Sequence, residues 1–251
     1  MSMTSFETAG RPVATREDDR AMLNAELSSL SRLRPRAQFV RLGNRCALPS
    51  LGGGYVYFVA KGVVGIETGV AGSDVRVITS LLYPGDVLVP ELQAPLASVS
   101  LTSQRPCEFW KLTPAVLGEE ASRDGHLWHA IFGRLNDQNA RMQLHAAEMS
   151  ILNSEEKVAG FLIETGARSG ISSGGSIAFE LPLSRYSIAD YLSLNADTIS
   201  RTFSALATAR IIERRGRFQI VVRDWHALLA KCPMSEAIVA AHGAGKPQLS
   251  R

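Results

Sequence analysis

The sequence predicts an α+β chain in three parts: an antiparallel β-barrel of the jelly-roll kind, one long helix, and a C-terminal winged helix-turn-helix. Three observations predict it. Between Phe39 and Leu112, short apolar runs alternate with turn signals. From Ile131 to Leu152, mostly apolar residues recur by four and three, the spacing of a helix seam. From Leu183 to Arg223, two short helical patterns precede a hairpin with a basic tip.

In chain order, residues 1–20 are polar without periodicity and read as a flexible tail. Residues 21–123 form the barrel unit, entered through a short helix around Ala21 to Leu30. Strands are expected at Tyr55–Val59, Val63–Thr68, Val75–Leu82, Val87–Val89, Val99–Thr102 and Glu108–Leu112. Lys61-Gly62, Gly69 to Ser73 and Tyr83-Pro84-Gly85-Asp86 are the turns between them. Gly52-Gly53-Gly54 reads as a plain turn, because it has neither a P-loop lysine nor dinucleotide-fold spacing. A short helix follows at Pro114 to Arg123.

Residues 124–153 are read as a dimerisation helix. Its seam is Ile131, Leu135, Gln138, Met142, His145, Met149 and Leu152. Such a stripe needs a partner, either a second copy or the chain's own barrel. Residues 154–232 form the winged unit. Ser154 is expected to cap its first helix, with Glu155 and Glu156 in the favourable first turn. Val158, Phe161, Leu162 and Thr165 give the inward face. A loop at Gly166–Gly175 and a strand at Ser176–Leu181 come next.

Ser184 is a good N-cap for a helix whose inward face holds Ile188, Tyr191 and Leu192. Ser193-Leu194-Asn195 breaks it, and Asn195 caps a second helix. There Ile199, Phe203 and Leu206 point inward, while Asp197, Ser200, Arg201 and Ser204 share the outward face. A polar outward face can donate to and accept from base edges in a major groove wide enough for one helix. Arg201 is expected to read a guanine, with Ser200 and Asp197 adding base contacts. Arg185, Asn195, Thr198, Arg215 and Arg217 are expected on phosphates. Ile211 to Glu213, the tip Arg214 to Arg217, and Phe218 to Val222 make the wing. A helix at Trp225 to Lys231, capped by Asp224, ends the unit, and 233–251 read as a frayed tail.

Charge agrees with this placement. Ser184 to Arg223 carries seven arginines against three acids, a net +4, whereas the whole chain is only +3. Positive charge concentrated on one small unit is the mark of phosphate binding. The 45% hydrophobic content is ordinary for a globular protein. There is no run of eighteen apolar residues, no apolar leader in the first twenty, and no paired cysteine spacing among Cys46, Cys107 and Cys232. A reduced, cytoplasmic protein is expected. No catalytic constellation is recognisable. His126 and His129 share a helix face, but no acid or cysteine completes a metal set.

The stretch LSRYSIADYLSLNADTISR resembles the helix-turn-helix of the Crp/Fnr superfamily of bacterial transcription regulators, in particular its Fnr and FixK branches. Asp197-Thr198-Ile199-Ser200-Arg201 stands where that family usually has Glu-Thr-x-Ser-Arg, and Ser193 where it often has glycine. YVYFVAKGVVGIE and YPGDVLV resemble the strand–turn–strand units of its cyclic-nucleotide-binding-like barrel. The resemblance implies a homodimer acting on a palindrome like TTGAT-N4-ATCAA, with double-stranded DNA and RNA polymerase as partners and no enzyme activity. Members that bind cyclic AMP use a Gly-Glu pair and an arginine pair. Here Val89-Pro90-Glu91-Leu92 has the glutamate without the glycine, and no arginine lies between Gln93 and Ser103. Cyclic AMP is therefore not expected. No cysteine precedes Cys46, so no N-terminal iron–sulfur cluster is expected either. The alternative is a cofactor-binding sensor whose ligand controls DNA binding, such as haem at His126, His129 or His145.

Overall fold

In a computed structural model, the described residues are 33–43, 45–47, 54–69, 76–92 and 98–243. The expected tail at 1–20, the helix at Ala21 to Leu30 and the glycines at 52 and 53 lie outside them. The N-terminal part is a jelly roll of two four-stranded antiparallel sheets. One sheet has the order β1 (Gln38–Leu42), β8 (Cys107–Leu112), β3 (Val56–Lys61), β6 (Val87–Leu88). The other has β2 (Arg45–Ala47), β7 (Ser98–Thr102), β4 (Val64–Gly69), β5 (Arg76–Leu82). Tyr57, Val59 and Phe109 from the first sheet meet Val64, Ile66 and Leu101 from the second in one core. The expected strands are present with ends shifted by a residue or two. Sequence reading missed β1 and β2, whose short, polar segments carry little alternation. Gly85 takes φ +92° in the turn after β5, where a side chain would be strained.

Thr113 caps α1 (Pro114–Arg123), and α2 (His126–Ile151) follows. The expected seam on α2 needs correction. Ile131 and Leu152 are buried in the chain's own core. The Gln138 amide donates to Val87 O and accepts from Val87 N, both at 2.8 Å. The His145 ring stacks on Tyr191, with centroids 4.1 Å apart. Those four residues face inward, whereas Met142 is 50% exposed. Arg141 and Glu148 are buried on this inner face. Apolar spacing alone assigns such charges to solvent, so the expected seam mixes residues of the inner face with residues of the outer one. The outward stripe is Trp128, Phe132, Asn139, Met142 and Ala146, and the half-buried Leu135 and Met149, which also touch the chain's own core, complete its repeat by four and three. Trp128 and Phe132 are 41% and 65% exposed.

α3 (Ser154–Ser169) is capped by Asn153 rather than Ser154. Asn153 accepts from Glu155 N and Glu156 N, and Glu156 reaches back to Asn153 N, a complete capping box. The helix is buried without a break from Val158 to Ala167 and runs through the expected loop to Ser169. It is the post around which the C-terminal unit is built. Strands β9 (Ile171–Ser173) and β10 (Ser176–Glu180) precede α4 (Arg185–Leu192) and α5 (Ala196–Thr208). The wing is β11 (Ile212–Arg215) and β12 (Gln219–Val222), in a sheet of order β11-β12-β10-β9. Asp224 caps α6 (Trp225–Leu229) by accepting from Ala227 N. The expected frayed tail is corrected over its described part, where Ser235–Gly243 forms a helix, α7, that buries Ile238 and His242; residues 244–251 lie outside the described residues. Among the described residues no helix is long and apolar enough to cross a membrane.

The two units share one core, since Ile78, Leu81 and Tyr83 of the barrel pack with Phe161, Tyr191 and Phe203 of the winged unit. Beside it lies a buried polar junction. Asp86, 1% exposed, accepts from Arg141 (2.7 Å), Arg168 (3.1 Å) and Tyr83 N (2.8 Å). The Glu164 carboxyl accepts from the Tyr83 hydroxyl (2.9 Å) and the Tyr191 hydroxyl (3.0 Å). One side chain of α3 thus ties the barrel to the first helix of the helix-turn-helix.

Burial sets the protonation of this junction. Desolvation pushes Glu148 up to about 8 and Glu164 up to about 7, the latter opposed by its two tyrosine donors. Desolvation holds His145 down to about 4 and His242 down to about 3, so both are neutral at pH 7. The unfolded reference values are 4.5 and 6.5. Between those values the folded chain holds two extra carboxyl protons and lacks two imidazole protons, so the effects cancel. Above 6.5 only the carboxyl difference remains, and stability falls as pH rises through the folded values near 7 and 8. Below 4.5 only the imidazole difference remains, and stability falls as pH drops. Thermal melts should show a plateau near pH 4.5–6.5 and lose several degrees by pH 8.5, at about 2–4 °C per kcal/mol for a chain of this size. Glu148→Gln should shrink the alkaline loss, and an unchanged alkaline limb would refute the assignment.

Candidate nucleic-acid interface

The helix-turn-helix is set by local capping. Ser184 accepts from Ser187 N at 3.1 Å and starts α4. Ser193 ends it at φ 53° and ψ 45°, the left-handed conformation that glycine adopts without strain. Asn195 accepts from Thr198 N at 2.7 Å and starts α5. Ile199, Phe203 and Leu206 are buried beneath, as the spacing required. Asp197, Arg201 and Ser204 are exposed on the other face, with Ser200 half-buried beside them.

All seven arginines of this region are exposed. Arg185 donates to the Ser200 hydroxyl at 3.0 Å, and Ser200 in turn donates to Ala196 O at 2.9 Å. The expected phosphate contact and one expected base reader are therefore partners in the free chain. Asn195 is engaged as a cap, and Thr198 is half-buried in the first turn. In the wing, Glu213 accepts from Arg215 (2.8 Å) and from Arg223 (2.8 Å). These partners hold the Glu213 carboxyl below its usual range, hydrogen bonding from Arg215 contributing most. The pairs are exposed, so exchanging Glu213 for a phosphate costs little. Arg217 lies over the Phe218 ring at 5.1 Å, beside Gly216 at φ +71°.

Three further groups, to which the sequence assigned no contact of their own, are exposed here: Tyr186, Arg210 and Arg214. Tyr186, 77% exposed at the start of α4, presents a hydroxyl donor to solvent on the same short helix as Arg185. Arg210 sits at φ 57° after α5. An exposed aromatic in the first helical turn was the available signal for Tyr186. Among the described residues no group of three or more His, Cys, Asp or Glu is placed to hold a metal ion.

Residues 156–231 match the model of the Crp-like helix-turn-helix domain. The chain is 29% identical over 174 residues to the nitrogen fixation regulation protein FixK of Azorhizobium caulinodans, spanning 69% of each chain. Residues 156–231 are thus a Crp-like helix-turn-helix domain, and the chain is similar to regulators of the FixK and Fnr branches of the Crp/Fnr superfamily. The transcriptional activator protein FnrL of Cereibacter sphaeroides is 36% identical over 80 residues, 30% of this chain and 32% of that one. The structure of FixK2 from Bradyrhizobium japonicum superposes with a TM-score of 0.65 at 25% identity, covering 78% of this chain and 97% of that one. A chain carrying this domain is a DNA-binding regulator, and the relatives named here are regulators rather than enzymes. Its recognition face departs from the family pattern at Asp197, which carries the usual glutamate's charge on a shorter stem.

Proposed function

We propose that the chain acts as a homodimer on a two-fold promoter site resembling TTGAT-N4-ATCAA and activates transcription by recruiting RNA polymerase. The observation that carries the dimer is the uncovered stripe of α2, with Trp128, Phe132 and Met142 all at least 41% exposed. A seam repeated by four and three along 26 residues suits a second copy of the same helix. Leu135, Met142 and Met149 of the original seam belong to this stripe, and Trp128, Phe132, Asn139 and Ala146 replace the rest. Two copies present two copies of α5, as a palindrome demands, about one DNA turn or 34 Å apart. The names of FixK and FnrL as regulation and activator proteins support the direction of control.

Direct readout is assigned to Arg201 and Asp197 from α5, with Ser200 released from Arg185 on binding. Arg185, Arg215 and Arg217 contact phosphates. Cyclic AMP is not proposed as effector, since a cyclic phosphodiester needs a cation that 93–103 do not supply. Haem is not proposed either. His145 is stacked on Tyr191, and the cavity beside it holds about 60 Å³, room for a few waters only. His126 and His129 are exposed at the start of α2, and His129 Nδ1 lies 3.3 Å from Gly125 O. DNA binding by the protein as purified is expected.

The test combines sedimentation with gel shifts on the TTGAT-N4-ATCAA duplex at fixed salt. Two chains should bind each duplex, and a scrambled duplex should bind only weakly. Phe132→Glu places like charges across the seam, costing several kcal/mol. Self-association should weaken by about 100-fold or more, with specific binding lost alongside. An intact Phe132→Glu dimer, or equal binding of both duplexes, would overturn this reading.

A further inference from the structure

We propose that α7 is an intramolecular clamp that holds the winged unit against α2 and the barrel. α7 begins at Ser235, beyond the matched domain, which ends at residue 231. It packs against both α2 and α3, one helix from each side of the junction. Ser235, Ile238, Val239 and His242 recur at i, i+3, i+4 and i+7 and form its covered face.

Two contacts carry the clamping. Ile238 is fully buried on α3 at Gly160, where a Cβ would stand 3.3 Å from the Ile238 Cδ1. The bare backbone of Gly160 is what lets α7 come this close. His242 is 7% exposed and crosses to the barrel, its ring meeting the Tyr83 ring edge-on at 6.3 Å. Its Nδ1 lies 3.9 Å from Glu164 Oε1 with no hydrogen-bond partner among the described residues. The end of α7 therefore closes the polar junction that joins Tyr83, Glu164 and Tyr191. The winged unit cannot rotate away from α2 without breaking one face of α7.

α7 is also built to let go. A helix of nine residues does not persist alone in water, so α7 is helical because it is docked. Its covered face ends on a histidine that must stay neutral. The charged and titratable groups around it come from every packed element: Tyr83 from the barrel, Arg141 and His145 from α2, Glu164 and Arg168 from α3, and Tyr191 from α4. Burial above all, and then Arg141 and Arg168, disfavour a proton on His242. Local unfolding of α7 is then the lowest-cost way to open the junction, leaving the core of the winged unit intact.

The test is hydrogen–deuterium exchange on the full-length protein, on Ile238→Asp, and on a chain ending at Met234. Amides of 81–83 and 188–192 report the junction, and those of 199–206 report the core of the winged unit. In both variants exchange at the junction should rise about tenfold or more, while the core stays protected. Small-angle scattering should show a larger radius of gyration in the same variants. Unchanged protection at 81–83 and 188–192 would show that α7 clamps nothing. Equal loss of protection in 199–206 would show that α7 is only part of that unit's core. Either result overturns the proposal without touching the reading of the DNA interface.

Discussion

Asp86→Ala is expected to lower stability by about 3–5 kcal/mol, the range for removing one partner of a buried ion group. The loss corresponds to roughly 6–20 °C in Tm for a chain of this size. Asp86 is 1% exposed and stands between two guanidinium groups whose side chains are 9% and 10% exposed. Its other carboxylate oxygen accepts from Tyr83 N and closes the turn at Pro84-Gly85. Removing it leaves two positive charges together in a buried junction and an orphaned backbone N–H. Asp86→Asn keeps an acceptor for Tyr83 N but not the charge, and should fall between wild type and alanine. The control is Arg36→Ala. Arg36 pairs with Glu119 and Glu120 at 2.7 and 2.8 Å, but at the surface, where solvent screens the pair, and its loss should barely move the melt. A similar small loss at both sites in denaturant melts would mean that the junction is wet.

Arg201→Ala should have the largest effect on DNA recognition. A bidentate arginine–guanine pair contributes roughly 1–3 kcal/mol of discrimination. A dimer makes the contact twice, so affinity for the palindrome should fall by about 30-fold at least, down to the non-specific floor. Arg201 is exposed one turn from the start of α5 and away from the buried Ile199 and Phe203, so the fold should be unaffected. Arg217→Ala should behave differently. As a phosphate contact it should weaken all sequences alike and reduce the salt slope by about 1 per half-site. Gel shifts at several salt concentrations separate the two. Retention of wild-type preference at the guanine by Arg201→Ala would sink its assignment.

The winged helix-turn-helix was legible in the sequence because its information is local. Ser184 and Asn195 cap within three residues of themselves, and a period of 3.6 sorts Ile199 and Phe203 from Arg201 and Asp197. The basic wing is likewise a run of neighbours, Arg214 to Arg217 around Gly216. The barrel strands were legible for the same reason, except β1 and β2, which owe their place to pairing with β8 and β7.

Only tertiary structure decided which face of α2 looks inward. The inner stripe is held by Arg141 against Asp86, 55 residues away, and by Gln138 against the Val87 backbone. A buried charge looks like a surface charge until its partner is placed. The same holds for Glu164, buried only because Tyr83 and Tyr191 converge on it from opposite sides of the chain. It holds for 235–243 too, a segment too short to be helical alone and ordered by Gly160 and Tyr83. Composition and periodicity determined the parts and the chemistry of the DNA face. The joint between the parts rests on polar contacts between residues distant in sequence, which no local pattern encodes.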